Sequence, residues 1–306
     1  MKSPSAGGAL AGLCTLTLIW GLNWIVMKMA LQHADPFVFN IQRTLLAIAA
    51  LFAVIVVQRR PFWPESWVAA AVTGLIQISV NFFSTSMALV EGGAGRTSVL
   101  VFTMPFWTLL LAWPILGERM RGAQWAAVVL AGAGLTMVVA PWHWEGAIAS
   151  KLWAVLSGLG WAAAIICTKW FQRDRTFDPI NFTAWLMAIG LLPFFPFVAF
   201  RGAPAVTWDF PYALELFYVG VISTALGWIL WLAVLRRLSA NAASFNMLAI
   251  PIVALTSSML VYGEELTRDE WFGIALIGAG LVLLGMLGVR AVRAAKRNEP
   301  PLLETG

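Results

Sequence analysis

Ten mostly apolar stretches, joined by short polar connections, account for nearly the whole chain: 9–30, 37–57, 67–90, 97–116, 122–140, 152–170, 180–200, 211–235, 241–262 and 271–289. Each is close to the roughly 20 residues a helix needs to cross a hydrocarbon core about 30 Å thick, and a helix satisfies its own backbone polar groups there. The pattern predicts an all-α polytopic membrane protein with ten transmembrane helices. The first run follows Lys2 as a secretion signal would. It nevertheless contains Trp20, Asn23 and Trp24 and ends at Lys28 without a small-residue cleavage site, so it reads as a span.

The pattern also repeats. The stretch TMPFWTLLLAWPILGERMRGAQWAAVVLAGAGL, Thr103 to Leu135, returns as AIPIVALTSSMLVYGEELTRDEWFGIALIGAGL, Ala249 to Leu281. Pro105 and Pro251, Gly117 and Gly263, Glu118 and Glu264, Trp125 and Trp271, Gly132 and Gly278, and Gly134 and Gly280 all pair at one offset of 146. WGLNWIVMK from Trp20 and WAAAIICTK from Trp161 form a weaker echo at an offset of 141. The predicted units are residues 1–143 and 144–306, five spans each. An odd number of spans makes the second half enter the membrane from the opposite face, so the repeat is inverted, the usual construction of secondary transporters that expose one central site alternately to either side.

Composition agrees, with 60% hydrophobic and only 11% charged residues against about a quarter charged in a soluble domain. With the N-terminus inside, inner loops and tails hold thirteen Lys and Arg and outer loops four, which predicts cytoplasmic termini. The net charge of +5 is then a topology signal, with anionic membrane lipids as partners of the basic tail, and nucleic-acid binding is not required. Cys14 and Cys167 sit in apolar runs, and His33 and His143 fall in predicted loops without ligating neighbours. Neither a disulfide, a metal site nor a cofactor is expected, and no nucleophile with a base argues for an enzyme. No Gly-rich phosphate loop is present, and no Asp or Glu reaches mid-span, Glu215 being the deepest. Facilitated, concentration-driven transport is therefore favoured over an intramembrane carboxylate relay.

Candidate lining residues come from depth and from the repeat. Trp20 and Trp161 are repeat mates near mid-span, and the 146 offset pairs Gln77 with Ser223, Phe82 with Trp228, Ser98 with Ser244 and Phe102 with Leu248. Gln77, Asn81 and Ser84 share one helical face by their spacing, and Asn23 lies at similar depth. Such amides face either a wet cavity or a neighbouring helix as interhelical glue. The expected cavity set is Trp20, Asn23, Gln77, Asn81, Phe82, Phe102, Trp161, Trp228 and Ser244. Pro105 and Pro251 are hinge candidates, or simply tolerated kinks. Glu118 and Glu264 read as stabilising the N-terminus of the following helix, Thr267 and Glu270 as a capping box opening the last span, and Ala123, Ala127, Ala131, Gly278 and Gly280 as close helix packing.

WGLNWIVMK, the Asp35–Pro36 bend followed by Arg43, and the twice-written Pro, Gly-Glu and Gly-Ala-Gly-Leu pattern resemble the EamA family of the drug/metabolite transporter superfamily, over all but the termini. The resemblance implies ten helices in two inverted five-helix halves around a central cavity, and export of amino acids or related metabolites across the bacterial cytoplasmic membrane. Within the superfamily the chain resembles exporters of aromatic amino acids. Arg43, Lys28 and Lys169 approach the spans only near their ends, which argues against phosphorylated cargo and leaves the expected cavity without a fixed countercharge. The predicted cargo is a neutral amino acid with a large apolar or aromatic side chain. Cysteine- or serine-like metabolites, and a channel or structural role, stand as alternatives.

Overall fold

The computed structural model describes residues 6–120, 122–142, 148–173, 176–202, 204–235 and 240–297, with side-chain surroundings for these except 6–11, 232–248 and 291–297. They form ten helical spans. The first two are Ala6–Ala30 and Pro36–Val57, and the third and fourth are Trp67–Glu91 and Ala94–Leu116. The fifth and sixth are Ala123–Val139 and Ile148–Phe171, and the seventh is Pro179–Arg201. The eighth runs from Phe210–Phe217 through Tyr218–Leu226 to Gly227–Leu235, and the ninth and tenth are Ala240–Tyr262 and Arg268–Arg297. Eight have the length and apolarity to cross a membrane; the fifth, at 17 residues, is a shorter apolar helix, and the ninth counts as one through Ala249–Tyr262.

Local chemistry sets the ends. Asp35, Asp178 and Asp209 cap the second, seventh and eighth spans, each carboxylate accepting backbone N–H groups of the first turn and each followed by a proline at N1 or N2, where its fixed φ suits the helix and its missing N–H costs nothing. Gly117 and Gly263, repeat mates, close the fourth and ninth spans at φ +72° and +61°, a left-handed geometry that glycine adopts without strain. The capping box forms as the sequence predicts: Thr267 N donates to Glu270 Oε2 at 3.0 Å, and Glu270 N to Thr267 Oγ1 at 3.2 Å.

Packing follows a pattern that survives exchange of the two halves. The first span lies on the ninth and the sixth on the fourth; the third lies on the seventh and the eighth on the second; the third also meets the sixth, as the eighth meets the first. The fifth and tenth pack on each other. A Cβ on Gly134 would sit 2.5 Å from the Gly273 carbonyl oxygen, and one on Gly280 would sit 2.9 Å from that of Ala127. These are the same contact written twice, since 134 and 280, and 127 and 273, are mates at the 146 offset. Ala127, Ala131 and Gly280 therefore do pack closely, whereas Ala123 is exposed and no neighbouring atom lies within 4 Å of a Cβ at Gly278.

Outside, the bundle is greasy. Phe200 (91%) and Leu260 (81%) are exposed along with many other large apolar side chains, far beyond the isolated apolar patches of a water-facing surface.

Candidate functional site

A cavity of about 100 Å³ lies between the first, second, third, fourth, sixth and eighth spans. Trp20, Asn23, Gln77, Asn81, Phe82, Phe102, Trp161 and Trp228 all line it. Ser244, the ninth residue predicted from the sequence, has its side chain outside the described residues. Trp24, Met27, Arg43, Thr85, Val101, Ser223 and Thr224 complete the wall.

The aromatic lining forms two groups of ring contacts. Trp24 meets Phe102 at 6.2 Å between ring centroids, Phe102 meets Trp161 at 5.8 Å, and Trp20 meets Trp228 at 6.2 Å, all edge to face, a favoured arrangement of ring quadrupoles.

Two helices change their winding where they reach the cavity. Leu75–Phe82 in the third span and Tyr218–Leu226 in the eighth are π-helical, at positions the repeat relates to each other. A π-helix takes i→i+5 hydrogen bonds and is uncommon outside functional sites. Thr85 rather than Ser84 joins Gln77 and Asn81 on the cavity wall, while Ser84 is buried away from it with its hydroxyl unpartnered. Asn81 is also interhelical glue, donating to the Ser157 carbonyl at 2.9 Å and to Ser157 Oγ at 2.8 Å. In the eighth span Trp20 Nε1 donates to the Ser223 carbonyl at 3.0 Å. Gly227 makes room for that indole, because a Cβ there would fall 2.5 Å from Trp20 Nε1.

Arg43 is the residue that sequence reading misplaced. It is not at a span end: it lies seven residues beyond Pro36, about 10 Å along the helix at 1.5 Å per residue, 4% exposed and on the cavity wall. Its guanidinium carbon sits 3.9 Å from the centroid of the Phe82 ring and 5.7 Å from that of Phe39. The cavity therefore does hold a fixed positive charge. The available signal was depth: an arginine this far inside an apolar run is too costly to leave facing lipid. Lys28 and Lys169, by contrast, do lie in the last turns of their helices.

Other expectations also change. His33 does have neighbours: its Nδ1 is 3.4 Å from Asp209 and its Nε2 3.9 Å from Glu215, while His143 lies outside the described residues. Glu264 caps not the next helix but the fourth span of the other half, accepting from Gly95 N at 3.0 Å and Arg96 N at 3.1 Å and from the Ser258 hydroxyl. Arg96 and Lys151 each lie 3.1 Å from Glu270 beside it. At the opposite end the mate Glu118 faces Lys169 at 3.6 Å, both more than half exposed. Pro105 and Pro251, equivalent in the repeat, differ locally: the fourth span breaks at Phe102–Thr103 and Pro105 opens its second segment, whereas Pro251 lies inside an unbroken helix. Neither lines the cavity.

The EamA-like transporter family matches residues 7–140 and 149–286. The uncharacterized transporter YoaV of Bacillus subtilis is 25% identical, covering 90% of this chain and 95% of its own length. The probable amino-acid metabolite efflux pump of Salmonella typhimurium is 28% identical, covering 92% of this chain and 95% of its own. A crystal structure 16% identical in sequence superposes with a TM-score of 0.64 over 94% of this chain and 99% of that one, a likeness of fold.

Proposed function

The chain belongs to the EamA-like transporter family, a family of membrane transporters and not of enzymes, and from that premise we propose that it exports amino acids with large apolar or aromatic side chains. The observation that carries the reading is the cavity wall: Trp20, Trp24, Phe82, Phe102, Trp161 and Trp228 supply apolar area, Asn23, Gln77 and Asn81 supply uncharged polar groups, and among the described residues no carboxylate lines it. Aromatic faces hold an apolar side chain and tolerate an ammonium group above them.

In this reading the units 1–143 and 144–306 are inverted five-helix repeats, and alternating access exchanges their roles. The exchange-symmetric packing and the paired π-helical segments support it, as does the relative named as a probable amino-acid metabolite efflux pump. Basic-residue asymmetry favours cytoplasmic termini in a bacterial inner membrane. Transport is facilitated, because the lining offers no proton-carrying carboxylate.

The test is uptake of labelled Phe, Trp, Leu, Ser and Lys into proteoliposomes containing wild type, Trp20→Ala and Trp161→Ala. The reading expects Phe, Trp and Leu to enter saturably and Ser and Lys poorly, with each substitution lowering entry of Phe and Trp at least about fivefold relative to Leu, since each removes ring area worth about 1 kcal/mol of aromatic pairing. Preference for Lys in the wild type overturns it.

A further inference from the structure

We propose that Arg43 and Asn23 form a carboxylate-binding subsite, so that the protein selects cargo bearing a carboxylate and rejects the corresponding amine. This rests on the exporter reading above and specifies which end of the cargo is held.

The guanidinium is a buried charge without a countercharge. Among the described residues no carboxylate comes within ion-pair distance of Arg43, and its Nε has no hydrogen-bond partner. Nη1 points at the Met27 sulfur at 3.4 Å, and Asn23 Nδ2 points at the same sulfur at 3.1 Å. Two donors, one of them charged, thus converge on a thioether, among the weakest acceptors in a protein. A carboxylate there offers two oxygens to both donors in the planar geometry a guanidinium favours. Asn23 Oδ1, also without a partner, is then placed to accept from the cargo's ammonium group.

Phe82 completes the arrangement. The ring beneath the guanidinium attracts the cation and leaves its edge free for in-plane hydrogen bonds, as stacked arginines do. Phe82 also belongs to the π-helical segment, so the geometry of that winding bears on where the charge stands.

The charge is present in one half only. The second and seventh spans begin alike, at Asp35–Pro36 and Asp178–Pro179, and the position matching Arg43 in the seventh is Leu186. A cavity with approximate twofold symmetry thereby gains a polar end, and the cargo binds in one orientation.

The experiment measures inhibition of labelled L-phenylalanine counterflow in proteoliposomes by 3-phenylpropionate, which keeps the carboxylate, and by 2-phenylethylamine, which keeps only the amine. Wild type is expected to be inhibited at least tenfold more strongly by 3-phenylpropionate. Arg43→Gln is expected to abolish the difference without loss of thermal stability, because it removes an uncompensated buried charge, whereas Arg43→Lys should retain part of it. Equal inhibition of wild type by the two compounds, or undiminished discrimination in Arg43→Gln, overturns the proposal. If Arg43→Gln does not assemble, Asn23→Leu decides: it should weaken inhibition by 3-phenylpropionate at least threefold, and no change in that inhibition overturns the subsite. If no aromatic amino acid is transported, the exporter reading fails alone, and the subsite is judged by thermal stabilisation. A larger shift with 3-phenylpropionate than with 2-phenylethylamine, lost in Arg43→Gln, upholds it; equal shifts overturn it.

Discussion

Gly227 shows how much of the cavity depends on single side chains, including one that is missing. The eighth span carries a glycine where Trp20 lies against it, and the indole N–H reaches the Ser223 carbonyl inside the π-helical turn. Gly227→Val should displace the ring, break that hydrogen bond and lower transport of aromatic cargo at least about tenfold, the scale of one buried hydrogen bond. If the two residues act as one unit, Gly227→Val combined with Trp20→Ala should be no worse than Trp20→Ala alone; additive losses in a counterflow assay would separate them. At this scale the sequence was legible wherever the repeat supplied a second copy: Trp20 with Trp161, and Phe82 with Trp228, were named by pairing and do share one wall. Arg43 has no mate, since its counterpart is Leu186, and its charge counted toward a helix end when it belonged to the interior. Trp24, four residues after Trp20 and so on the same helical face, has no aromatic mate, its counterpart at the 141 offset being Ile165.

Among the elements, the helices themselves were readable, because apolar length and the Asp-Pro starts fix them. Winding was not. A sequence read at 3.6 residues per turn admits both Ser84, three residues after Asn81, and Thr85, four after it, to the stripe of Gln77 and Asn81, and the structure puts Thr85 on the wall. Prolines carry a similar lesson. Pro105 and Pro251 are equivalent in the repeat, yet one opens a helical segment after a break and the other interrupts the hydrogen bonding of a continuous helix. If they are hinges, Pro251→Ala restores a backbone N–H within the ninth span, stiffens it, and should cut turnover severalfold while leaving or raising the melting temperature. Pro105→Ala, at a position where no N–H was used, should change turnover less. Full transport rates in both variants would remove the prolines from the mechanism.

For the whole molecule, the proposed orientation makes a direct prediction. In a background with Cys14 and Cys167 replaced by Ala, a cysteine at the exposed Asp269 should react with a membrane-impermeant thiol reagent added outside cells, and one at the exposed Arg59 should react only after permeabilisation. The reverse pattern would invert the assignment and overturn the proposed cytoplasmic termini. The duplication was legible at this scale and the contacts extend it, down to the Gly134–Gly273 approach that recurs between Gly280 and Ala127.

Glu264 holds the start of the fourth span and sits within a knot of Arg96, Lys151 and Glu270, while its mate Glu118 meets only an exposed lysine among the described residues. Of two equivalent clasps in one scaffold, the structure shows one fastened. A carrier whose idle conformation is already competent to load binds with its intrinsic affinity, since no fraction of the population must first rearrange. Under the proposed orientation, with the Glu264 end outside, idling and loading coincide for an exporter: the fastened clasp lies on the side away from the cytoplasm, where such a cargo accumulates.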